Sequence, residues 1–335
     1  MRIIVTGGAG FIGSHLTDTL LGRGDEVWVV DDLSAGRASR LHEKAMLFDH
    51  SIMHAKELAG LVEDVRPELI FHLAAQIDVR ASVEFPADDA RVNVIGTINV
   101  LEAARSANAR VLFCSSGGAL YGQDAPIPSP ESVPPMPESP YGAAKYCAEQ
   151  YIGLYNRLHG TCHSVLRLAN VYGPRQCASG EAAVIPRFCS RALHGERLII
   201  YGDGRQTRDF IYVSDVVDAF LAAADCSIPG TWNIGTGAEV SILDLAALIS
   251  EISGRPFDPE FAPSRTGELE RSAVSAELAR RVLGWCPVTT LAEGVRAVYR
   301  WVENGAHDRE SRLATDIVRE HTIADATDSS GKAAC

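Results

Sequence analysis

Two short patterns in the chain can do chemistry together. The first is Gly7-Gly8-Ala9-Gly10-Phe11-Ile12-Gly13, a G-x-x-G-x-x-G that follows the strand-like run Arg2–Thr6 and opens an amphipathic one. Glycines at such a bend let the backbone approach a pyrophosphate, and the following helix offers unpaired N–H groups at the positive end of its dipole. Asp31 and Asp32 stand at the end of the next strand-like run, eighteen residues beyond Gly13. A carboxylate there accepts hydrogen bonds from the ribose 2′ and 3′ hydroxyls and repels a 2′-phosphate, which predicts NAD as the cofactor in preference to NADP. Arg37, close by in sequence, is the one residue that speaks for NADP. Asp49, after Met46-Leu47-Phe48, is placed for the adenine amino group, with His50 beside it as a further contact or as plain surface.

The second pattern is Tyr141-Gly-Ala-Ala-Lys145, Y-x-x-x-K at the start of a predicted helix. Residues four apart share a helix face, so the ammonium stands near the phenol and favours its ionised form. An ordinary tyrosine, with a pKa of about 10, is a poor base; a fixed lysine and an oxidised nicotinamide ring would bring it into use near neutrality. The pattern follows the run Cys114-Ser115-Ser116-Gly117-Gly118-Ala119-Leu120-Tyr121-Gly122, where Ser116 or its neighbour Ser115 can share a hydrogen bond with a substrate oxygen.

These residues need a scaffold that brings strand ends to one edge. Short apolar runs at Arg2–Thr6, Glu26–Asp31, Leu69–Leu73, Arg110–Ser115 and Ser164–Leu168 alternate with amphipathic segments from Phe11, over Ala55–Val65, over Asp88–Ala107 and from about Ser139 to Leu158. That alternation predicts an α/β protein with a Rossmann-like doubly wound parallel sheet. Ligands in such sheets bind beyond the carboxyl ends of the strands. A loop over Ala125–Pro140 carries seven prolines, which forbid helix and central strand, so it must cross the surface and wall that edge.

After about residue 170 the alternation loosens. Short runs at Leu198–Tyr201, Phe210–Tyr212 and Thr231–Ile234 mix with helical ones at Ser214–Ala224 and Ser241–Ile252, the composition of a smaller α+β lobe. The expected division is a cofactor domain over 1–170, a second lobe over 171–303, and a C-terminal helix (Arg309–His321) with a flexible tail over 304–335.

With 31 Lys+Arg against 43 Asp+Glu, the net charge of −12 argues against a nucleic-acid partner. The eight cysteines form no C-x-x-C pair, so no metal site is assigned and they read as small buried hydrophobes of a reducing compartment. No apolar stretch approaches the roughly 18 residues of a membrane span, and the chain enters its first strand at once with no room for a secretory leader. The expectation is a cytoplasmic protein with no membrane contact. No internal repeat is present.

The glycine loop, strand-end serine, tyrosine and lysine stand in the order of the extended short-chain dehydrogenase/reductase family, which the chain resembles over about residues 1–303. Within it the sequence is most similar to UDP-glucose 4-epimerases of bacterial type. The stretches that carry the likeness are Phe71-His72-Leu73-Ala74-Ala75, Leu166-Arg167-Leu168-Ala169-Asn170-Val171-Tyr172-Gly173-Pro174-Arg175, Tyr201-Gly202-Asp203-Gly204-Arg205-Gln206-Thr207-Arg208-Asp209-Phe210 and Asn233-Ile234-Gly235-Thr236-Gly237, besides Ser115–Gly122.

The resemblance implies that Leu73, Ala74, Ala75 and Ser115 touch the cofactor, and that Ser116, Tyr141 and Lys145 are catalytic. Many relatives carry the strand-end hydroxyl one residue later, where this chain has Gly117. The resemblance further implies that Arg208 and Arg265 clamp a diphosphate, with Glu268 near the uridine ribose, Asn170 on the diphosphate or sugar, and Ala183, Val184 and Tyr201 framing the uracil. Arg80 completes the substrate contacts. Related dehydratases bear an Asp-Glu pair where this chain has Gly-Gly-Ala, which speaks against dehydration.

The implied reaction is NAD-dependent epimerisation at carbon 4 of a UDP-hexose through a transient 4-keto sugar, in a homodimer. Ser272, small where some relatives have a bulky aromatic, would admit an N-acetyl group. Arg187 either faces a sugar carboxylate, making UDP-glucuronate the substrate, or is a surface residue. The rival readings are a UDP-glucuronate 4-epimerase, a UDP-glucuronate decarboxylase, and a nonenzymatic dinucleotide sensor.

Overall fold

The computed structural model of the protein describes residues 1–177, 183–264 and 269–305. Five of its strands are those the apolar runs predict: β1 (Arg2–Thr6), β2 (Glu26–Val30), β4 (Leu69–His72), β5 (Arg110–Ser116) and β6 (Ser164–Leu168). Two more complete the sheet, β3 (Met46–Phe48) and β7 (Thr231–Ile234). All pair in parallel in the order β7-β6-β5-β4-β1-β2-β3. The strand order reverses between β1 and β4, which opens the cofactor crevice at their carboxyl ends.

Helices cover both faces, as the apolar content of buried parallel strands requires. On one face α2 (Ala55–Val65), α3 (Gly96–Ala107) and α4 (Pro140–His159) pack on Ile4, Ile70, Val111 and Phe113. On the other α1 (Phe11–Gly22), α5 (Val213–Asp225) and α6 (Glu277–Leu283) pack on Val5, Val29, Phe71 and Leu166.

A third apolar cluster holds the smaller lobe together, with Phe188, Ile200, Phe210, Leu245 and Val298 at its centre. The lobe uses helices Val184–Leu193, Ile242–Ser253 and Leu291–Glu303 and short strand pairs.

Two expectations need correction. Thr231–Ile234 and the helix expected over Ser214–Ala224 belong to the central sheet layer and not to the smaller lobe: the strand pairs with β6 in the register Thr231↔Val165 to Ile234↔Leu168, and the helix, α5, buries Val216 and Phe220 against the sheet. The helix expected over Asp88–Ala107 is a chain of pieces, helices Val79–Glu84 and Pro86–Ala90, a π turn over Arg91–Ile95, and α3. Pro86 starts a new helix at its first position, and within the π turn Asn93 turns its side chain to the loop after β4. The expected C-terminal helix and tail lie outside the described residues.

Candidate active site

The cofactor cradle is built by close backbone contact. Gly7 has φ +71°, its N–H donates to Val30 O at 2.8 Å, and a Cβ there would stand 2.6 Å from the Ala74 nitrogen. Only glycine fits where β1, β2 and the end of β4 meet. Gly10 begins α1 with no side-chain cap, which leaves its first N–H groups for an anion.

Asp31 ties the acidic strand end to this turn, accepting from Ala9 N–H (2.9 Å) and Leu33 N–H (3.0 Å). Burial raises its pKa and those two donors pull it back. Asp32 is exposed; desolvation acts to raise its pKa, but hydrogen bonds from Ser34 and Ser51 leave it below the ordinary value. The His50 ring stacks on Phe48 at 4.2 Å, and its Nδ1 is buried with no partner among the described residues. A turn free of side chains, an open helix N-terminus, a ribose-type carboxylate and an unmet ring nitrogen fit an adenine dinucleotide.

The catalytic candidates meet at the carboxyl end of β5. Ser139 caps α4 by accepting from Gly142 N–H (3.1 Å) and Pro140 occupies its first turn, which fixes Tyr141 at the helix start. The Tyr141 N–H donates to Ser82 Oγ (3.1 Å), and its side chain lies beside Ser116. Lys145 is 3% exposed; its Nζ donates to Cys114 O at 3.0 Å and stands 4.7 Å from the Phe113 ring centre and 6.0 Å from that of Tyr141.

Burial raises the Tyr141 pKa well above its ordinary value, and the Ser116 hydroxyl beside it only partly opposes this. The protein alone therefore leaves the phenol protonated, and the expected fall toward neutrality needs the oxidised nicotinamide ring as well as Lys145. Burial also lowers the Lys145 pKa, against the pull of Asp89 and Glu149.

Ser115 and Ser116 point to opposite faces of the strand, as neighbours must. Ser116 meets Tyr141, whereas Ser115 donates to Glu149 Oε1 at 2.5 Å in the interior, so its hydroxyl is not beside the tyrosine.

On the substrate side, Gly118, Asn170 and Ser272 converge: a Cβ on Gly118 would lie 3.5 Å from Asn170 Oδ1 and 3.9 Å from Ser272 Oγ. Gly118 and Ser272 line a small cavity with Gly117 and Tyr121, to which the proline-rich loop contributes Ile127 and Ser129. Arg208 is half-buried and lies in register opposite Ser272. Its neighbour Asp209 is buried and accepts from the Thr236, Gly237 and Val274 N–H groups, which fixes the surrounding loops.

The remaining candidates stand on separate elements. Ala183 and Val184 begin the helix that carries half-buried Arg187, Tyr201 ends the strand Ile199–Tyr201, and Arg80 is exposed on the helix Val79–Glu84. Arg265 and Glu268 lie outside the described residues.

Sequence reasoning passed over two buried networks. Thr6 Oγ1 meets His72 Nδ1 (2.7 Å), and His72 Nε2 meets Thr97 Oγ1 (3.0 Å), bridging β1, β4 and α3 beneath the crevice. Burial, with the Lys145 charge, lowers the His72 pKa to about 3. The other network joins Glu149, Arg167 and Tyr121. Glu149 lies four residues beyond Lys145, a helical spacing that could have revealed it.

Fold and site together define a nucleotide-cofactor enzyme of the extended short-chain dehydrogenase/reductase type. The chain belongs to the NAD dependent epimerase/dehydratase family, whose model matches residues 3–235. It is 46% identical over 311 residues to the UDP-glucose 4-epimerase of Mycolicibacterium smegmatis, covering 91% of this chain and 99% of that one. Among solved structures it is similar to the UDP-glucose 4-epimerase of Thermotoga maritima with UDP-glucose, with TM-score 0.90, 42% identity, and coverage of 91% and 100%. It is also similar to the Thermus thermophilus UDP-glucose 4-epimerase in complex with NAD, with TM-score 0.85, 37% identity, and coverage of 90% and 98%.

Proposed function

We propose that the protein interconverts the C4 epimers of a UDP-hexose with NAD as its cofactor. The observation that carries this reading is the placement of Tyr141 beside Ser116, with Lys145 Nζ 6.0 Å from the Tyr141 ring centre, at the carboxyl edge next to the Gly7 turn. When bound, NAD supplies the hydride acceptor for carbon 4 and the donor for its return.

Tyr141 accepts the proton of the sugar 4-hydroxyl and gives it back to the opposite configuration, while Ser116 holds that oxygen by a shared hydrogen bond. The buried phenol needs positive charge to ionise, and Lys145 provides the protein's share. Arg208 holds the diphosphate together with Arg265, and Glu268 serves the uridine ribose. Asn170, Ala183, Val184, Arg187, Tyr201 and Arg80 line the rest of the nucleotide-sugar site. A firmly held diphosphate and a loosely held hexose allow the 4-keto sugar to turn over and present its other face.

The cofactor unit comprises residues 1–170 completed by α5, β7 and α6, and the substrate unit the remainder to 303. Ser272, small and beside Gly118, leaves room for an N-acetyl group at carbon 2. The molecule works as a homodimer: large apolar side chains are exposed on adjacent helices, Val83, Phe85 and Ile95 on one side and Leu154 and Leu158 of α4 on the other. Of the seven described cysteines only Cys189 is buried, and Cys162 and Cys286 are exposed, so the expectation of small buried hydrophobes holds for one of them. No helix among the described residues is long and apolar enough to cross a membrane.

The test is incubation with UDP-glucose, UDP-N-acetylglucosamine and UDP-glucuronate separately, with and without added NAD, followed by proton NMR. Appearance of the matching C4 epimer is expected and fixes the sugar. Release of carbon dioxide from UDP-glucuronate, or reduction of bound NAD without an epimer, would overturn the reading.

A further inference from the structure

Beneath the catalytic edge runs a continuous chain of buried polar contacts. The Arg167 guanidinium grips Glu149 through Nε and Nη2, with Nη2 to Oε2 at 2.6 Å and Nε to Oε1 at 3.0 Å. Both side chains are buried, at 7% and 4% exposure. The remaining nitrogen, Nη1, donates to Tyr121 OH at 2.9 Å, and that hydroxyl donates to Asn233 Oδ1 at 2.7 Å. Asn233 in turn donates from Nδ2 to Ser129 O (2.9 Å), and its backbone N–H donates to Glu131 Oε1 (2.7 Å). At the other end Glu149 Oε1 accepts from Ser115 Oγ.

The chain therefore starts on β5 one residue before Ser116, crosses α4 and β6, and ends on β7 and on the loop that walls the substrate cavity. A buried ion pair stabilises little over apolar packing, because desolvation offsets its Coulomb attraction. A bidentate pair whose third nitrogen is also hydrogen-bonded does, however, hold its partners to a single geometry.

We propose that Glu149, Arg167 and Tyr121 are positioning residues that hold the Ser116 strand end and the Ser129 wall in one fixed relation, so that cavity closure and hydroxyl alignment occur together. The proposal rests on the epimerase reading for its consequence in turnover, but its mechanical part stands apart from that reading.

Two mild substitutions at opposite ends test it, Ser115→Ala and Tyr121→Phe, alone and combined, in the NAD-loaded full chain. Each single change is expected to lower kcat about tenfold with little change in KM. Because Glu149 and Arg167 link the two hydroxyls, the combined loss in kcat should fall short of the product by about threefold or more. Amide exchange read by mass spectrometry should rise in residues 125–133 when only Ser115 is changed.

Factors that multiply, with exchange altered only around each substituted residue, would overturn the proposal and leave the network a plain stability element. Should the unaltered protein fail to epimerise any UDP-sugar, the fault lies with the epimerase reading, and the exchange experiment still decides whether the two ends are coupled.

Discussion

Tyr141 serves two opposed demands. It must be shielded enough to exclude water from a reactive keto sugar, yet shielding disfavours the phenolate that takes the proton. The cation at Lys145 is the local remedy, and Ser116 is the local alignment. Replacing Tyr141 by Phe should reduce turnover by about 10² to 10⁴ while leaving NAD bound, checked by product NMR and cofactor absorbance on one sample. Lys145→Met removes a positive charge beside the phenol, so the rising limb of the pH–rate profile should move to higher pH. An unmoved limb would mean that Lys145 serves only to hold the cofactor. At Ser272, a Tyr should fill the space beside Gly118 and selectively suppress conversion of UDP-N-acetylglucosamine relative to UDP-glucose.

Elements place these side chains, and the glycine turn is the least forgiving of them. Gly7→Ala puts a methyl group against Ala74 in a backbone conformation that costs of order 1–3 kcal/mol, so calorimetry should show NAD affinity weakened at least about tenfold. The turn was legible because type and spacing coincide there, and β1, β2, β4, β5 and β6 because parallel strands read as apolar runs. β3 gave no such signal: Met46 and Leu47 are 42% and 38% exposed, so burial does not mark it. β7 looked like its neighbours in the smaller lobe because pairing across some sixty residues leaves no local trace. The choice between Ser115 and Ser116 is a matter of strand phase. Alternation says that they face opposite ways, but only the partners Glu149 and Tyr141 say which way each faces. The role of Glu149 escaped for the same reason, since its arginine lies on another strand.

At the scale of the whole molecule, two buried histidines contribute to the response to acid. His163 accepts from Val111 N–H, and burial together with the Arg110 charge lowers its pKa to about 4; His72 is lowered to about 3. Both are held neutral in the fold, whereas the unfolded chain takes up their protons near pH 6.5. The stability they permit is complete above that value and is lost as pH falls toward 4 and 3. The melting midpoint should therefore drop steeply below pH 6, and His163→Gln should lessen the slope between pH 6.5 and 4. Oligomeric state is read independently: Phe85→Glu or Leu158→Glu should convert a dimer to a monomer by light scattering, and an unchanged mass would remove these helices from the interface. The return of the chain to the sheet at β7 has a practical consequence for anyone splicing relatives together. A single crossover at residue 170 would give the hybrid a sheet edge and two covering helices, α5 and α6, from one parent against six strands from the other. Sugar preference will therefore not travel as a cassette; grafting it takes at least two junctions, one on each side of β7, or point changes made in place.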